Sequence, residues 1–366
     1  MKNKFFLARF ILVIIVLLLL EGCSSGKNQV KEVNPLEMTT IEPQVNEYIS
    51  ITNTEYVNGT DTSDGMIMNV YTYDFHTKSI TKTAELPYNS QYPLTAASLA
   101  DDTIYYSGSG EGKGDELFSY DQRTKTAQQL SSGLFAINTI IPNTVDNTLV
   151  LAAVKKGERP VKVMFFDKES HEITILNDND SDTTTWEIAY DPETSKTYAI
   201  QFSEEEQFHQ MEESNKNQTP MVPPKHTIIE IDGISKQTRK VVELDKEQIL
   251  TLSARGNQIL IATAKHINKY PIEYSIVDIK TGLRKKIDLP IKASRGLFLS
   301  KDGQGFYFLG ENVQADAGAD QKRGIYYYDM NTQKMEAIFL QKDGFTNNFM
   351  LLTEPVLNDN IKDATN

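Results

Sequence analysis

Five histidines are the residues best suited to acid–base or metal chemistry, but their spacing favours neither role. They are His76, His171, His209, His226 and His266, and no two stand in an HxH or HExxH arrangement. A transition-metal site needs several such ligands converging on one point. The sequence has no GxSxG motif, and its glycine-rich stretch, Gly108–Gly112, lies between two strand-like runs rather than before a phosphate-binding helix. We therefore expect no metal and no bound cofactor.

The single cysteine is the clearest candidate for covalent modification. It follows three basic residues among the first nine and an apolar run, Phe10–Leu20, of eleven residues. A permanent membrane span needs about 20 residues, so this run is typical of a signal peptide. Leu20-Glu21-Gly22-Cys23 resembles the lipobox of bacterial lipoproteins, which implies cleavage before Cys23 and a diacylglyceryl thioether on its sulfur. An ordinary signal peptide or an uncleaved anchor would leave a lone cysteine in an exported chain unexplained.

This resemblance divides the chain into four parts. Residues 1–22 are the predicted signal peptide, and residues 23–45 form a polar, flexible tether after the lipidated cysteine. Residues 46–355 form the folded domain, and residues 356–366 a disordered tail. The resemblance implies a protein attached to the cell membrane by its lipid and facing outside the cytoplasm.

The charge of the chain argues against two classes of partner. The formal net charge is −13, and loss of the leader, which carries three basic residues and one acidic residue, makes it −15. Nucleic acid and anionic lipid headgroups both repel a protein of this charge, so we expect neither as a partner. No disulfide is possible, so stability must come from an extensive apolar core.

One short pattern recurs six times: a run of β-forming residues, an aspartate, two arbitrary residues and a hydroxyl residue. The aspartates are Asp74, Asp121, Asp167, Asp232, Asp278 and Asp329, separated by 47, 46, 65, 46 and 51 residues. An aspartate in this position accepts backbone hydrogen bonds and forms a tight turn. Each copy therefore predicts a hairpin between two antiparallel strands, and we interpret the aspartates as turn formers rather than as catalytic groups.

Upstream of five hairpins lies a second pair of strand-like runs with its own tight turn. Two such pairs make a four-stranded unit of roughly 46 residues, the size of one propeller blade. The stretch Leu299–Gly303 followed by Phe306–Phe308 is similar to the repeat motif of TolB-like propellers, with Lys301 where proline is usual. The prediction is an all-β, six-bladed β-propeller of four-stranded antiparallel blades. An array of separate β domains is the alternative.

The first hairpin lacks a complete upstream pair. Only one good strand precedes it, and only one follows the sixth hairpin. We predict that Phe349–Thr353 completes the first blade as its innermost strand, which would remove the exposed edges of an open sheet.

If the strands of each blade are named a to d outward from the axis, the aspartate hairpins are all c–d turns. The b–c loops, on the opposite face, differ widely in length and sequence, and binding residues concentrate on such loops. We expect the functional face to carry the b–c and d–a connections. The insertion Ser203–Lys225 belongs to this face; we interpret it as a solvated loop, with a short amphipathic helix, Glu204–Glu213, as the alternative.

Polar residues on the predicted innermost strands are the remaining candidates for a site. They are Asn138, Glu187, Thr251, Arg295 and Asn347. Propeller enzymes of the lactonase type hold Ca²⁺ in the channel with oxygen ligands of this sort. Hydration of a channel wall needs the same residue types. Trp186, the sole tryptophan, is interpreted either as packing between blades or as a ligand platform. Asn138, Trp186, Glu187 and Arg295 are our candidate binding residues.

Two functions remain open on the sequence. The leading hypothesis is a non-catalytic binding or adaptor module that presents its variable face to an envelope protein or to a wall or sugar ligand. The alternative is a calcium-dependent hydrolase of the lactonase or esterase type, or a lyase, with its site in the central channel.

Overall fold

The computed structural model describes residues 45–57, 65–111, 114–143, 147–267, 271–289, 291–311, 323–340 and 344–355. The predicted signal peptide, Cys23, the tether up to residue 44 and the tail from residue 356 lie outside these ranges. The described chain forms six four-stranded sheets, in each of which neighbouring strands are antiparallel.

The blades follow one another along the chain, and each has one strand at the axis and three further strands outward from it. Blade one contains, in this order, β24 (Phe345–Pro355), β1 (Val45–Tyr56), β2 (Met66–Asp74) and β3 (Ser79–Pro87). Blade two contains β4 (Thr95–Ser98), β5 (Thr103–Ser109), β6 (Asp115–Asp121) and β7 (Thr126–Gln129). Blade three contains β8 (Leu134–Pro142), β9 (Thr148–Lys155), β10 (Lys162–Asp167) and β11 (Ile173–Ile175).

Blades four to six repeat this arrangement. Blade four contains β12 (Thr183–Asp191), β13 (Lys196–Ser203), β14 (His226–Asp232) and β15 (Thr238–Leu244). Blade five contains β16 (Gln248–Arg255), β17 (Gln258–Ala264), β18 (Glu273–Asp278) and β19 (Arg284–Ile287). Blade six contains β20 (Lys292–Leu299), β21 (Gly305–Glu311), β22 (Arg323–Asp329) and β23 (Lys334–Leu340). The predicted six-bladed propeller is confirmed.

The six aspartates occupy the six c–d turns, as predicted. In every turn, Oδ1 of the aspartate accepts a hydrogen bond of 2.8–2.9 Å from the backbone N–H three residues later. The hydrogen bonds from that residue lower the pKa of each aspartate. The fourth residue after each aspartate has a positive φ of 51–69° and starts the return to strand d; these residues are Lys78, Lys125, His171, Lys236, Gly282 and Gln333.

The predicted closure of the ring is also confirmed. Strand β24, longer than predicted, pairs with β1 as the innermost strand of blade one. Its Glu354 reaches the next blade, where its carboxylate accepts hydrogen bonds from the backbone N–H groups of Leu99, at 3.1 Å, and Ala100, at 2.6 Å. The hydroxyl of Tyr48 donates to the same carboxylate at 2.8 Å. Strands β1 and β24 are therefore both hydrogen-bonded to blade two.

The apolar core lies between adjacent blades. Aromatic rings fill several of these interfaces, and Phe306 and Phe308 of β21 are fully buried against Tyr328 and Tyr326 of β22 and against blade five. Each buried aromatic side chain removes 150–250 Å² from water, so a ring of such interfaces stabilises the propeller without disulfides.

Candidate functional site

The innermost strands enclose a cavity of about 1320 Å³. Its walls come from β8, β12, β16, β20 and β24, which contact one another in order around the axis. The connection before β4 and one helix add further lining residues at the face that carries the b–c and d–a connections. Ligand sites usually span 300–1,000 Å³, so this cavity can hold a ligand of several rings.

A β-bulge interrupts each of these five strands at the level of the channel. The strand register skips a residue there, and the skipped residues are Asn138, Trp186, Leu250, Gly296 and Asn347. All five line the cavity. A bulge leaves its extra residue out of the ladder and can turn that side chain to a new direction. The bulges therefore form a ring of residues, one from each strand, directed at the axis.

Gly296 shows why one of these positions carries no side chain. Its φ is 58°, and a Cβ added there would lie 3.2 Å from Cε1 of Phe349 and 3.4 Å from Cε2 of Phe298. Glycine adopts this backbone conformation without steric cost. The residue thus lets two aromatic rings approach the channel wall of blades six and one.

The structure brings most of the sequence-predicted site residues together. Asn138, Trp186, Glu187, Thr251 and Asn347 all line the cavity. Oε1 of Glu187 accepts a hydrogen bond of 2.7 Å from the hydroxyl of Thr251, which ties blade four to blade five. Oδ1 of Asn347 accepts one of 2.7 Å from the hydroxyl of Thr54.

Arg295 is the remaining candidate, and its backbone lies in β20 opposite Leu309, next to the bulge at Gly296. Its side chain is outside the described part of the chain.

Trp186 contacts the neighbouring blade and also lines the cavity. Its Nε1–H donates a hydrogen bond of 2.9 Å to the backbone carbonyl of Leu250, the bulge residue of the neighbouring blade. The side chain is nevertheless 45% exposed and lines the cavity. One hydrogen bond to a rigid strand fixes the indole ring while a large part of its surface faces solvent.

Part of the insertion in blade four forms a helix, α1 (Glu204–Asn217). Its interpretation as a solvated loop was therefore wrong, and the alternative of a helix beginning at Glu204 is confirmed, with four further residues at its end. The N-cap hydroxyl of Ser203 accepts a hydrogen bond of 2.9 Å from the backbone N–H of Glu206. Three glutamates in the first turn complement the helix dipole, and Gln218 ends the helix in a left-handed conformation. None of its residues is buried, and no helix of the described ranges is long and apolar enough to cross a membrane.

One face of α1 belongs to the cavity mouth. Glu204, Gln207, Phe208 and Met211 all line the cavity, at the i, i+3, i+4, i+7 spacing of one helical face. Phe208 is 49% exposed and Met211 40%. Together with Trp186 and Tyr92, which is 43% exposed, they form what we call the apolar rim. Phe208, Met211 and Tyr92 were not among the predicted site residues. For Phe208 and Met211, an apolar i, i+3 pair within a glutamate-rich insertion was the available signal.

Charges at the mouth are few and of both signs. Arg159 lies 3.7 Å from Glu204, and Arg323 and Glu187 also line the cavity. Within the described ranges, no group of three histidine, cysteine, aspartate or glutamate side chains could hold a metal ion. The mouth therefore offers exposed apolar rings, amides and hydroxyls rather than a strong electrostatic field.

His226 is a structural residue of blade four. Its Nδ1 accepts a hydrogen bond of 3.2 Å from the backbone N–H of Ile249, and its ring stacks on Phe202 with centroids 4.9 Å apart. Burial lowers its pKa to about 4. The imidazole is therefore neutral at physiological pH and serves as an acceptor for the neighbouring blade.

A buried arginine joins several blades at the opposite face of the ring. Arg255, the last residue of β16, contacts Glu47 at 2.6 Å and Glu193 at 2.9 Å. Its Nη1 also donates to the carbonyl of Leu299 at 3.3 Å. These contacts join blades five, one, four and six at the face that carries the a–b and c–d turns, away from the apolar rim.

Fold and cavity define a six-bladed propeller with a central channel whose rim is apolar at one face. The chain is similar in structure to TolB from Acinetobacter baumannii, with 15% sequence identity and a TM-score of 0.53 over 82% of this chain and 66% of that one. It thus spans slightly less than two thirds of that protein. The similarity shows a TolB-like fold and, at this identity, the fold alone.

Two other structural matches are enzymes. Oligogalacturonate lyase from Vibrio parahaemolyticus matches at 11% identity and a TM-score of 0.41, over 81% of this chain and 85% of that one. A prolyl endopeptidase matches at 11% identity and a TM-score of 0.49, over 84% of this chain and 43% of that one. TM-scores below 0.5 carry no functional argument. The chain matches no protein-family model and no curated protein sequence.

Proposed function

We propose that this protein is a lipid-anchored binding module on the outer side of the cell membrane, and that its ligand enters the channel at the apolar rim. The observation that carries the proposal is the ring of five bulges beneath this rim. Each bulge gives up regular strand pairing to direct a residue at the axis. Bulges of this kind occur next to functional sites because they re-aim side chains.

The chemistry of the cavity favours a wall or sugar ligand. A sugar ring presents C–H groups on its faces and hydroxyls at its edge, so it suits an aromatic ring flanked by amides and hydroxyls. Trp186 supplies a fixed ring. Asn138, Thr139, Thr184 and Asn348 line the same cavity and supply polar groups. The near balance of charge at the mouth suits a ligand of low net charge.

An envelope protein is the second candidate ligand, since Phe208 and Met211 expose apolar surface beyond the channel itself. A partner that inserts a loop into the mouth would cover both side chains. Exposed aromatic and methionine side chains are enriched at the centres of protein interfaces.

The sole tryptophan provides a direct test. Titration of the protein with soluble cell-wall glycan fragments should shift the emission of Trp186, because a stacked sugar displaces water from the indole. Phe208→Ala should weaken binding by about tenfold, since one buried aromatic contact is worth roughly 1.5 kcal/mol. Ile80→Ala is the matched control, because Ile80 is 43% exposed on the outermost strand of blade one.

Two results would count against a sugar ligand. Unchanged Trp186 emission at saturating glycan would exclude stacking at the rim. Equal affinity of Phe208→Ala and Ile80→Ala would place the ligand elsewhere. If the protein binds no glycan but captures an envelope protein, and Phe208→Ala abolishes that capture, an envelope protein is the ligand.

Calcium-dependent hydrolysis is less well supported by the cavity. Glu187 is the only carboxylate among the predicted oxygen donors, and it already accepts a hydrogen bond from Thr251. Calcium sites usually take six to eight oxygen ligands with several carboxylates. Among the described residues, the predicted oxygen donors do not fit such a site. Calorimetric titration with Ca²⁺ and an activity screen on lactones and esters test this directly; turnover abolished by Glu187→Ala would establish the enzyme instead.

The anchor is a separate part of the proposal. It is supported by the lipobox-like sequence before Cys23. Cys23→Ala should move the protein from the detergent phase to the aqueous phase on detergent phase separation, because two acyl chains make a durable anchor and none remains. Equal partitioning of both forms would refute lipidation.

A further inference from the structure

Two apolar side chains project from the face opposite the apolar rim. Ile234 is 84% exposed and Leu283 is 71% exposed. The next most exposed large apolar side chain of the described residues is Phe208, at 49%. Ile234 lies in the c–d turn of blade four and Leu283 in the c–d turn of blade five, so the two belong to neighbouring blades on one face.

The turn itself does not require an apolar residue at either place. The position of Ile234, two residues after the turn aspartate, holds only polar residues in the other blades: His76, Arg123, Glu169, Lys280 and Asn331. The position of Leu283, five residues after the aspartate, likewise holds only polar residues elsewhere: Ser79, Thr126, Glu172, Gln237 and Lys334. The same hydrogen-bonded turn forms in all six blades. Ile234 and Leu283 therefore contribute to something other than turn formation.

The turns fix the backbone at both positions. The backbone N–H of Ile234 donates to Oδ1 of Asp232 at 3.2 Å. The backbone N–H of Leu283 donates to the hydroxyl of Thr281 at 3.3 Å. Burial of these side chains by a partner therefore costs side-chain entropy but little backbone entropy.

Lysines lie in the same two turns. Lys236 follows Ile234 by two residues, and Lys280 precedes Leu283 by three. The strands that leave these turns carry five further basic residues, of which four form ion pairs: Arg239 with Glu230, Lys240 with Glu243, Arg284 with Glu247 and Lys286 with Glu273. Apolar side chains flanked by lysine are typical of segments that bind at a membrane surface.

The chain also enters the domain at this face. In the pairing of β1 with β2, Tyr48 lies opposite Asp74, the aspartate of the c–d turn of blade one, whereas Tyr56 lies opposite Met66 at the other end. Strand β1 thus starts at the c–d face. Residues 24–44, between the proposed lipid and Val45, can span at most about 70 Å when extended.

We propose that the c–d face of blades four and five rests on the lipid surface, with Ile234 and Leu283 inserted at the boundary between headgroups and acyl chains. The proposal rests on the lipid anchor at Cys23. It adds an orientation: anchored through blade one and touching the membrane through blades four and five, the propeller directs its apolar rim away from the membrane. A second copy of the chain is a poorer occupant, because stable interfaces bury 1,200–2,000 Å² and the apolar surface on this face consists of two isolated side chains.

Depth-dependent quenching of tryptophan tests this orientation in the full lipoprotein. Trp186→Phe removes the only native tryptophan, and Leu283→Trp or Ile234→Trp then places one indole at each turn. The proteins are reconstituted into phosphatidylcholine vesicles with brominated acyl chains, with and without phosphatidylglycerol. Both introduced indoles should lose about half of their emission or more, since bromine quenches only within the acyl region. Native Trp186, at the opposite face, is the matched control and should be unaffected.

Flotation of the vesicles separates failure of the anchor from failure of the contact. Protein that does not float lacks the lipid, which overturns both the anchor and this orientation. Protein that floats with unquenched indoles at both turns keeps the anchor and overturns the contact. Indoles shielded from aqueous iodide but not quenched by bromine would identify contact with a second copy of the chain instead, and would also overturn the proposal.

Discussion

Glu354 should contribute measurably to the stability of the ring. The side chain is 5% exposed, and its carboxylate accepts hydrogen bonds from Leu99, Ala100 and Tyr48. Glu354→Ala removes the acceptor of the Ala100 N–H group, whereas the Leu99 N–H group can still donate to the Tyr48 hydroxyl at 3.4 Å, and that hydroxyl to the carbonyl of Ala97 at 2.8 Å. A buried donor left unsatisfied costs about 1–3 kcal/mol, so we expect a loss of about 2 kcal/mol in the free energy of unfolding. At about 2 °C per kcal/mol, the melting temperature should fall by about 4 °C.

Glu354→Gln separates hydrogen bonding from charge. Burial raises the pKa of Glu354, so the charged form is held at a cost that the neutral amide avoids. The amide oxygen keeps one acceptor, and the loss should be less than half of that of Glu354→Ala. Glu336→Ala, at an exposed position of β23, is the control. The variants are compared by calorimetry and urea unfolding. A loss below about 1 kcal/mol for Glu354→Ala, or equal losses for the two Glu354 variants, would refute closure through this carboxylate.

Three further predictions concern other parts of the ring. Because the pKa of His226 is about 4 in the fold and 6.5 when unfolded, the unfolded state gains a proton first. Acidification from pH 6.5 to 4 should therefore lower the free energy of unfolding of the wild type by about 3 kcal/mol more than that of His226→Asn. Urea unfolding of both proteins at each pH measures this difference. Arg255→Met should lower the free energy of unfolding by about 3 kcal/mol, because it leaves the carboxylate of Glu47 without its partner. The double variant Arg255→Met/Glu47→Gln should lose less, because no unpaired carboxylate then remains at position 47. Equal losses in the single and double variants would show that the two residues are not coupled. Replacing residues 205–218 by a short glycine-serine linker should leave the melting temperature within about 2 °C, because no residue of α1 is buried. The same change should abolish binding at the rim, because it removes Phe208 and Met211. A larger fall in the melting temperature would show that the helix stabilises the fold.

The turns of the propeller could be predicted because their signal is local. An aspartate and a hydroxyl residue three positions later are enough to specify the hydrogen bonds of a c–d turn. The left-handed residue that follows could not be predicted. Only Gly282 among the six is a glycine, and lysine, histidine or glutamine holds the same positive φ in the other blades. The strands on either side impose that conformation on them.

The channel wall could be predicted only in part. Placing Asn138 and Glu187 on innermost strands follows from the order of strands in a blade. The bulges depend on the register between two strands and on the packing of neighbouring blades, which no single strand encodes. A regular alternation would have assigned adjacent residues such as Trp186 and Glu187 to opposite faces. The bulge at Trp186 is what allows both to line the cavity.

The helix in blade four could have been predicted from its ends. Ser203 followed by three glutamates is a favourable N-terminal sequence for a helix, because the hydroxyl caps the first turn and the carboxylates oppose its dipole. Only four residues of α1 line the cavity. Because a helix at the entrance of a cavity buries less surface than a helix in a core, its apolar face can be narrower.

The two faces of the propeller differ for a physical reason. Turns of the c–d face are fixed by one hydrogen-bonding pattern, so a departure such as Ile234 or Leu283 is a substitution on an unchanged backbone. The rim face departs in its backbone itself, through bulges and an inserted helix. Substitutions on an invariant turn suit contact with a flat, chemically simple surface such as a bilayer, whereas altered backbone geometry suits a ligand with shape. The distribution of these two kinds of change therefore supports a ligand at the rim and lipid at the opposite face. Replacing Ile234 and Leu283 by serine should abolish the contact with lipid and leave ligand binding at the rim unchanged.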